Sequence, residues 1–150
     1  MENLISLLKT PEECDKLAML FEGMAQKARL RSVELRAEKN SYKNEVEFEL
    51  FKALYAYEDI LRIRNNRKTR AARTWQMIRR DGIVKAAEKA VNRETDAMGY
   101  RILADMGMRY LTFESIILQY PKYFSVEAVT KARTRLDELE KHYTSRFNEK

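Results

Sequence analysis

Asn44-Glu45-Val46-Glu47-Phe48-Glu49-Leu50-Phe51-Lys52-Ala53-Leu54-Tyr55-Ala56-Tyr57-Glu58-Asp59-Ile60-Leu61 is the stretch that decides the fold. Val46, Leu50, Phe51, Leu54, Tyr57, Glu58 and Leu61 follow the spacing that lines one side of a helix. Asn44 and Glu47 stand three apart at its start, where a short polar side chain can accept an unpaired helix N–H. Phe48, Tyr55, Ile60 and Ile63 are apolar but lie off the stripe. The reading is therefore a long helix contacted on more than one side, the spine of the protein.

Upstream, Thr10-Pro11-Glu12-Glu13 has the Thr-x-x-Glu spacing of a capping box with proline at the first helical position. Cys14, Leu17, Ala18, Phe21, Met24, Ala25 and Ala28 then recur at helical steps, and the pattern fades after Leu35 and breaks near Asn40-Ser41. Two long helices joined by a short turn predict an antiparallel hairpin over residues 1–66. Cys14 falls on the apolar stripe and reads as a small core residue.

Downstream, Asn65-Asn66-Arg67-Lys68-Thr69 interrupts the spine, with Thr69 placed to cap the next helix. A basic helix, the stop Asp81-Gly82 and a short helix from Ile83 to Asn92 make up residues 67–93. Residues 94–150 read as a helix from about Thr95 to Met106, another from Tyr110 to Tyr120, and a last one capped by Ser125. In that last helix Val129, Ala132, Leu136, Leu139 and Tyr143 form a seam of about two heptads, too short for an independent coiled coil. The expected fold is one all-α domain: a helical bundle with a long N-terminal hairpin, several short helices and an amphipathic C-terminal helix.

Composition agrees. Four glycines and two prolines in 150 residues are too few for a strand-and-turn protein. No apolar run nears the roughly 20 residues needed to span a bilayer, and the amino terminus lacks a signal-peptide layout. The expected location is the cytoplasm.

The net charge of +6 conceals an uneven distribution. Residues 1–61 carry nine basic against twelve acidic residues, and residues 94–150 carry nine of each. Residues 62–93 carry eleven Lys/Arg against Asp81 and Glu88 alone, a local net of +9. On a helical wheel Ala71, Ala72, Trp75 and Ile78 share one side, and Arg70, Arg73, Gln76 and Arg80 the other; Met77 intrudes on the arginine side and Arg79 on the apolar one. In the next helix Ile83, Ala86, Ala87, Ala90 and Val91 face one way and Lys85, Glu88, Lys89 and Asn92 the other. A helix-turn-helix centred on Gly82 would put bulky Ile78 and charged Glu88 where that motif wants small and buried residues, so the segment reads as a basic helix-glycine-helix.

Guanidinium groups match phosphate oxygens and keep their charge at physiological pH. The expected interface is Arg64, Arg67, Lys68, Arg70, Arg73, Arg79, Arg80, Lys85 and Lys89, and the expected partner the phosphate backbone of DNA or RNA, bound as such or within a nucleoprotein complex. The alternative is a protein-interaction module, a small adaptor or inhibitor of a larger complex, whose basic face meets an acidic protein surface. Self-pairing of the last helix into a homodimer is a further option.

Trp75 reads as core rather than as a base-stacking residue, and Tyr120 to Phe124 as an aromatic corner formed by packing. His142, the sole histidine, reads as solvated near a helix end. One histidine and one cysteine supply neither a nucleophile-base pair nor the Glu-x-x-His ligands of a di-metal bundle, so Glu34, Glu38, Glu45, Glu47 and Glu49 read as a charged helix surface. The expectation is a protein without catalytic residues, cofactor or metal.

Overall fold

The computed structural model describes residues 2–93 and 96–148. The chain is all-helical, a bundle with no strand among the described residues. In order come α1 (Glu2–Ile5), α2 (Pro11–Glu38), α3 (Glu45–Asn65), α4 (Ala72–Asp81), α5 (Ile83–Ala90), α6 (Ala97–Asp105), α7 (Phe113–Gln119), a single 3-10 turn (Pro121–Tyr123) and α8 (Val126–Asn148).

Local chemistry sets most of these boundaries. Thr10 Oγ1 accepts the Glu13 N–H at 3.1 Å, and the Glu13 carboxylate reaches back to the Lys9 N–H at 2.8 Å. Asn44 does the same for α3, accepting from Glu47 N–H at 3.0 Å. Asn66 closes α3 in the left-handed conformation, φ 51°, which asparagine tolerates better than most residues. Ser125 Oγ accepts from the Ala128 N–H at 3.1 Å at the start of α8.

α3 is the spine: it packs against α2, α5, α6 and α7. Its buried residues, from Val46 through Leu50, Phe51, Leu54 and Ala56 to Ile60, feed two apolar clusters. One joins α3 to Trp75 of α4, Ile83 and Ala87 of α5, Ile116 and Ile117 of α7 and Ala132 of α8. The other joins Ala56 and Ile60 to Val33 of α2 and to Leu103, Met106, Met108 and Leu111 around the end of α6. The seam of α8 lies on its own chain, with Ala132 and Leu139 buried and Val129, Leu136 and Tyr143 half-buried. Phe124 is buried in the aromatic corner, where Tyr120 and Tyr123 meet edge to face. His142 is exposed.

Several expectations are corrected. Cys14 is exposed, not core, because the bundle covers α2 only from the side of Val33 and Ala37 and leaves the stripe from Cys14 to Ala28 largely in solvent. Tyr57 and Ile63 of α3 are exposed too. Thr69 caps nothing: its hydroxyl donates to the Arg67 carbonyl and accepts from the Asn65 amide, so it belongs to the loop, and α4 begins only at Ala72. The next helices are shorter than the periodicity suggested. Asp96 caps α6 by accepting from Gly99 N–H, and Thr112 caps α7 by accepting from Ser115 N–H. Thr95, the expected start of α6, lies outside the described residues.

Candidate nucleic-acid interface

α4 starts without a cap of its own. Ala71 precedes it and offers no side-chain acceptor. The acceptor comes instead from α3: the buried carboxylate of Glu58 takes the Ala71 N–H at 2.8 Å and the indole N–H of Trp75 at 2.9 Å through the same oxygen. A negative charge at the amino end of a helix is favourable for the backbone dipoles. Trp75 is buried, with the rings of Phe51 and Tyr55 at 6.2 and 5.8 Å and the guanidinium of Arg70 over its face at 4.9 Å.

This anchoring rotates α4 relative to the wheel drawn from sequence. Thr74, Trp75 and Met77 face inward, and Ala72, Arg73, Gln76, Arg79 and Arg80 are exposed. Ala72 is thus not on the buried side, Met77 does not break the arginine face, and Arg79 joins it. The rotation improves the segregation of charge.

Gly82, with φ +87° and ψ 164°, is open to solvent and ends α4 with its N–H on the Ile78 carbonyl, so that α5 starts at the next residue. α5 turns Ile83, Ala86 and Ala87 inward and exposes Lys85 and Lys89, as the sequence indicates. Asp81 sits at the junction and binds both neighbours: Lys89 Nζ at 2.6 Å and Arg80 Nε at 3.0 Å. Those two bonds, Lys89 first, hold the Asp81 carboxyl below the usual aspartate range.

The nine expected cations therefore separate into two sets. Arg64 binds Asp96 at 2.6 Å, Arg70 lies over Trp75 with Glu58 at 4.0 Å, and Arg80 and Lys89 share Asp81. Arg67, Lys68, Arg73, Arg79 and Lys85 are exposed and make no ion pair among the described residues. The compensating carboxylates belong to α3, the α4–α5 junction and the cap of α6; Glu12, Glu13, Asp15 and Glu22 of α2 are exposed and form no ion pair with the basic segment. The Arg62 guanidinium, outside the expected set, approaches Asp59 at 3.7 Å.

Glu58 is the site residue that the sequence reading does not single out. It stands on the apolar stripe of α3 as the only charged member, and a lone carboxylate on a core-facing stripe is the available signal that a buried donor awaits it.

A cavity of about 160 Å³ lies behind the basic segment, between α3, α6, α7 and α8, with Thr74 of α4 and Ala90 of α5 also in its wall. Tyr57, Arg93, Tyr100, Glu114 and Arg135 line it. Several of its polar groups are engaged: Arg135 Nε donates to Glu114 at 3.0 Å, a guanidinium nitrogen of Arg135 donates to the Arg93 carbonyl, and the Tyr100 hydroxyl donates to Glu140 of α8, outside the lining. Burial, and then the Glu140 bond, push the Tyr100 hydroxyl well above the ordinary phenol range. The volume is below the roughly 300 Å³ at which small-molecule pockets begin.

No protein-family model, curated protein or solved structure matches this chain.

Proposed function

We propose that this is a non-enzymatic helical protein that binds nucleic acid, or a nucleoprotein complex, through phosphate contacts on the face formed by α4, α5 and the loop before them. The observation that carries the reading is the set of five exposed cations without acidic partners among the described residues, Arg67, Lys68, Arg73, Arg79 and Lys85, on consecutive elements of one segment. Arg80 and Lys89 flank them through a carboxylate that a phosphate can displace at the solvent edge. Such a face contacts backbone oxygens and carries no base readout by itself. DNA and RNA are both candidates.

Fluorescence anisotropy with labelled duplex and single-stranded DNA and RNA, across a salt series, tests this. Five released counterions predict a log-log slope of about −4, and the triple variant Arg73→Ala, Arg79→Ala, Lys85→Ala should reduce it by about three units. Absence of binding at low salt, or a slope unchanged in the triple variant, overturns the reading. Binding to a polyglutamate of equal charge with the same strength as to nucleic acid would favour an acidic protein partner instead.

A further inference from the structure

The longest regular apolar stripe of the chain faces away from its core. On α2, Val33 and Ala37 are buried, Leu30 packs beside them, and the side chain of Gln26 lies against Gly107. Leu17 stands roughly 180° around the helix from that contact line. On its side Phe21 is 37 %, Leu35 45 %, Met24 56 % and Leu20 59 % exposed, and Cys14 and Ala28 are exposed as well.

Positions 14, 17, 21, 24, 28, 31 and 35 alternate steps of three and four without a slip, and all but Arg31 are apolar: Cys14, Leu17, Phe21, Met24, Ala28 and Leu35. That is a seam of three heptads, the length at which an a/d pattern argues for helix pairing. The residues that pack on the bundle, Gln26, Leu30, Val33 and Ala37, occupy the outer positions of the same heptads. α2 can therefore keep its place in the bundle and pair along its free side.

Charge along α2 chooses the partner and its direction. Pro11–Ala25 carries Glu12, Glu13, Asp15 and Glu22 against Lys16 alone, whereas Gln26–Glu38 carries Lys27, Arg29, Arg31 and Arg36 against Glu34 and Glu38. Two copies of this helix laid antiparallel across a two-fold axis set each acidic half beside the other copy's basic half; a parallel pair sets like against like. We propose that the free face of α2 binds the same face of a second copy of the chain, antiparallel, with Phe21 and Met24 near the axis. The last helix cannot serve, since its seam is already packed on its own chain. The contact is separate from the basic face on α4 and α5, so neither proposal depends on the other.

In this arrangement Cys14 of one copy lies opposite Arg31 of the other and about 25 Å from its own counterpart. Sedimentation of the full chain over a wide concentration series should show a species of twice 17.8 kDa. Phe21→Glu with Met24→Glu, both exposed, should weaken association about 100-fold or more while leaving the helical circular dichroism signal intact. Mild oxidation should cross-link the Arg31→Cys variant into covalent dimers and leave the natural chain, with Cys14 alone, uncross-linked. A monomer at every concentration, or a dimer insensitive to the double glutamate variant, overturns the proposal. Cross-linking of the natural chain through Cys14 overturns the antiparallel arrangement.

Discussion

Glu58 on α3 and Trp75 on α4 are joined by a 2.9 Å hydrogen bond from the indole N–H to the carboxylate, and the same oxygen caps the amino end of α4. Replacing Glu58 by leucine leaves two buried donors unsatisfied, each costing roughly 1–3 kcal/mol. Chemical denaturation should show a loss of about 3 kcal/mol for Glu58→Leu and a smaller one for Glu58→Gln, which keeps an acceptor. Trp75 is the sole tryptophan, so its fluorescence reports on this place alone. The emission should move to longer wavelength in Glu58→Leu as the ring becomes more exposed.

Asp81 restrains two cations of the proposed interface. Asp81→Asn should tighten binding to nucleic acid and steepen its salt dependence by roughly one to two units of log-log slope, because Arg80 and Lys89 lose their internal partner. The pH response follows from the lowered carboxyl. A group whose folded-state pKa is depressed contributes stability that is complete above its unfolded value, here 3.8, and is lost as pH falls through the lower folded value. The stability difference between the natural chain and Asp81→Asn should thus be constant through neutral pH and close only in strongly acidic solution. Thermal melts at stepped pH measure it.

Glu114 and Arg135 form an ion pair in the interior, 3.0 Å long, with Glu114 buried. Arg135→Ala removes one partner from a buried carboxylate and should destabilise by about 3–5 kcal/mol. Replacing both, with Glu114→Leu and Arg135→Met, should restore much of that loss, although the Arg93 carbonyl then loses a donor. A double-mutant cycle by urea unfolding separates the two effects.

Gly82 has no atom within 4 Å of where a Cβ would stand, so Gly82→Ala meets no steric obstacle but must hold φ +87° and ψ 164°. That region is essentially confined to glycine, and the expected cost is about 1–3 kcal/mol of backbone strain. Calorimetry should show a lower Tm with unchanged helix content. Affinity for nucleic acid should fall as well, because the angle between α4 and α5 relaxes.

The hairpin, the spine and the glycine stop were legible in the sequence because they rest on local signals: the caps at Thr10 and Asn44, the period of Val46 to Leu61, and the φ that Gly82 supplies. The orientation of α4 was not. Its rotation is set by Glu58, from another helix, and a wheel drawn over residues 70–80 contains no information about that carboxylate. The same holds for Cys14 and Phe21, whose period announces an apolar face but not whether the chain itself covers it. Of the nine cations expected at the interface, the sequence located all on or next to one helix-glycine-helix. It could not show that Arg64, Arg70, Arg80 and Lys89 meet carboxylates from three places in the fold while the other five meet none among the described residues.

The borrowed cap of α4 has a consequence for what an isolated fragment could do. A peptide of residues 66–93 would retain nine of the eleven basic side chains of the +9 segment, but α4 spans only ten residues, lacks a local cap and would be marginal as a helix in water. Such a fragment would be a flexible polycation with no defined surface. The geometry of the arginine face is therefore a product of tertiary structure: it exists only once α3 has docked, and unfolding the spine would erase it without altering a single charge.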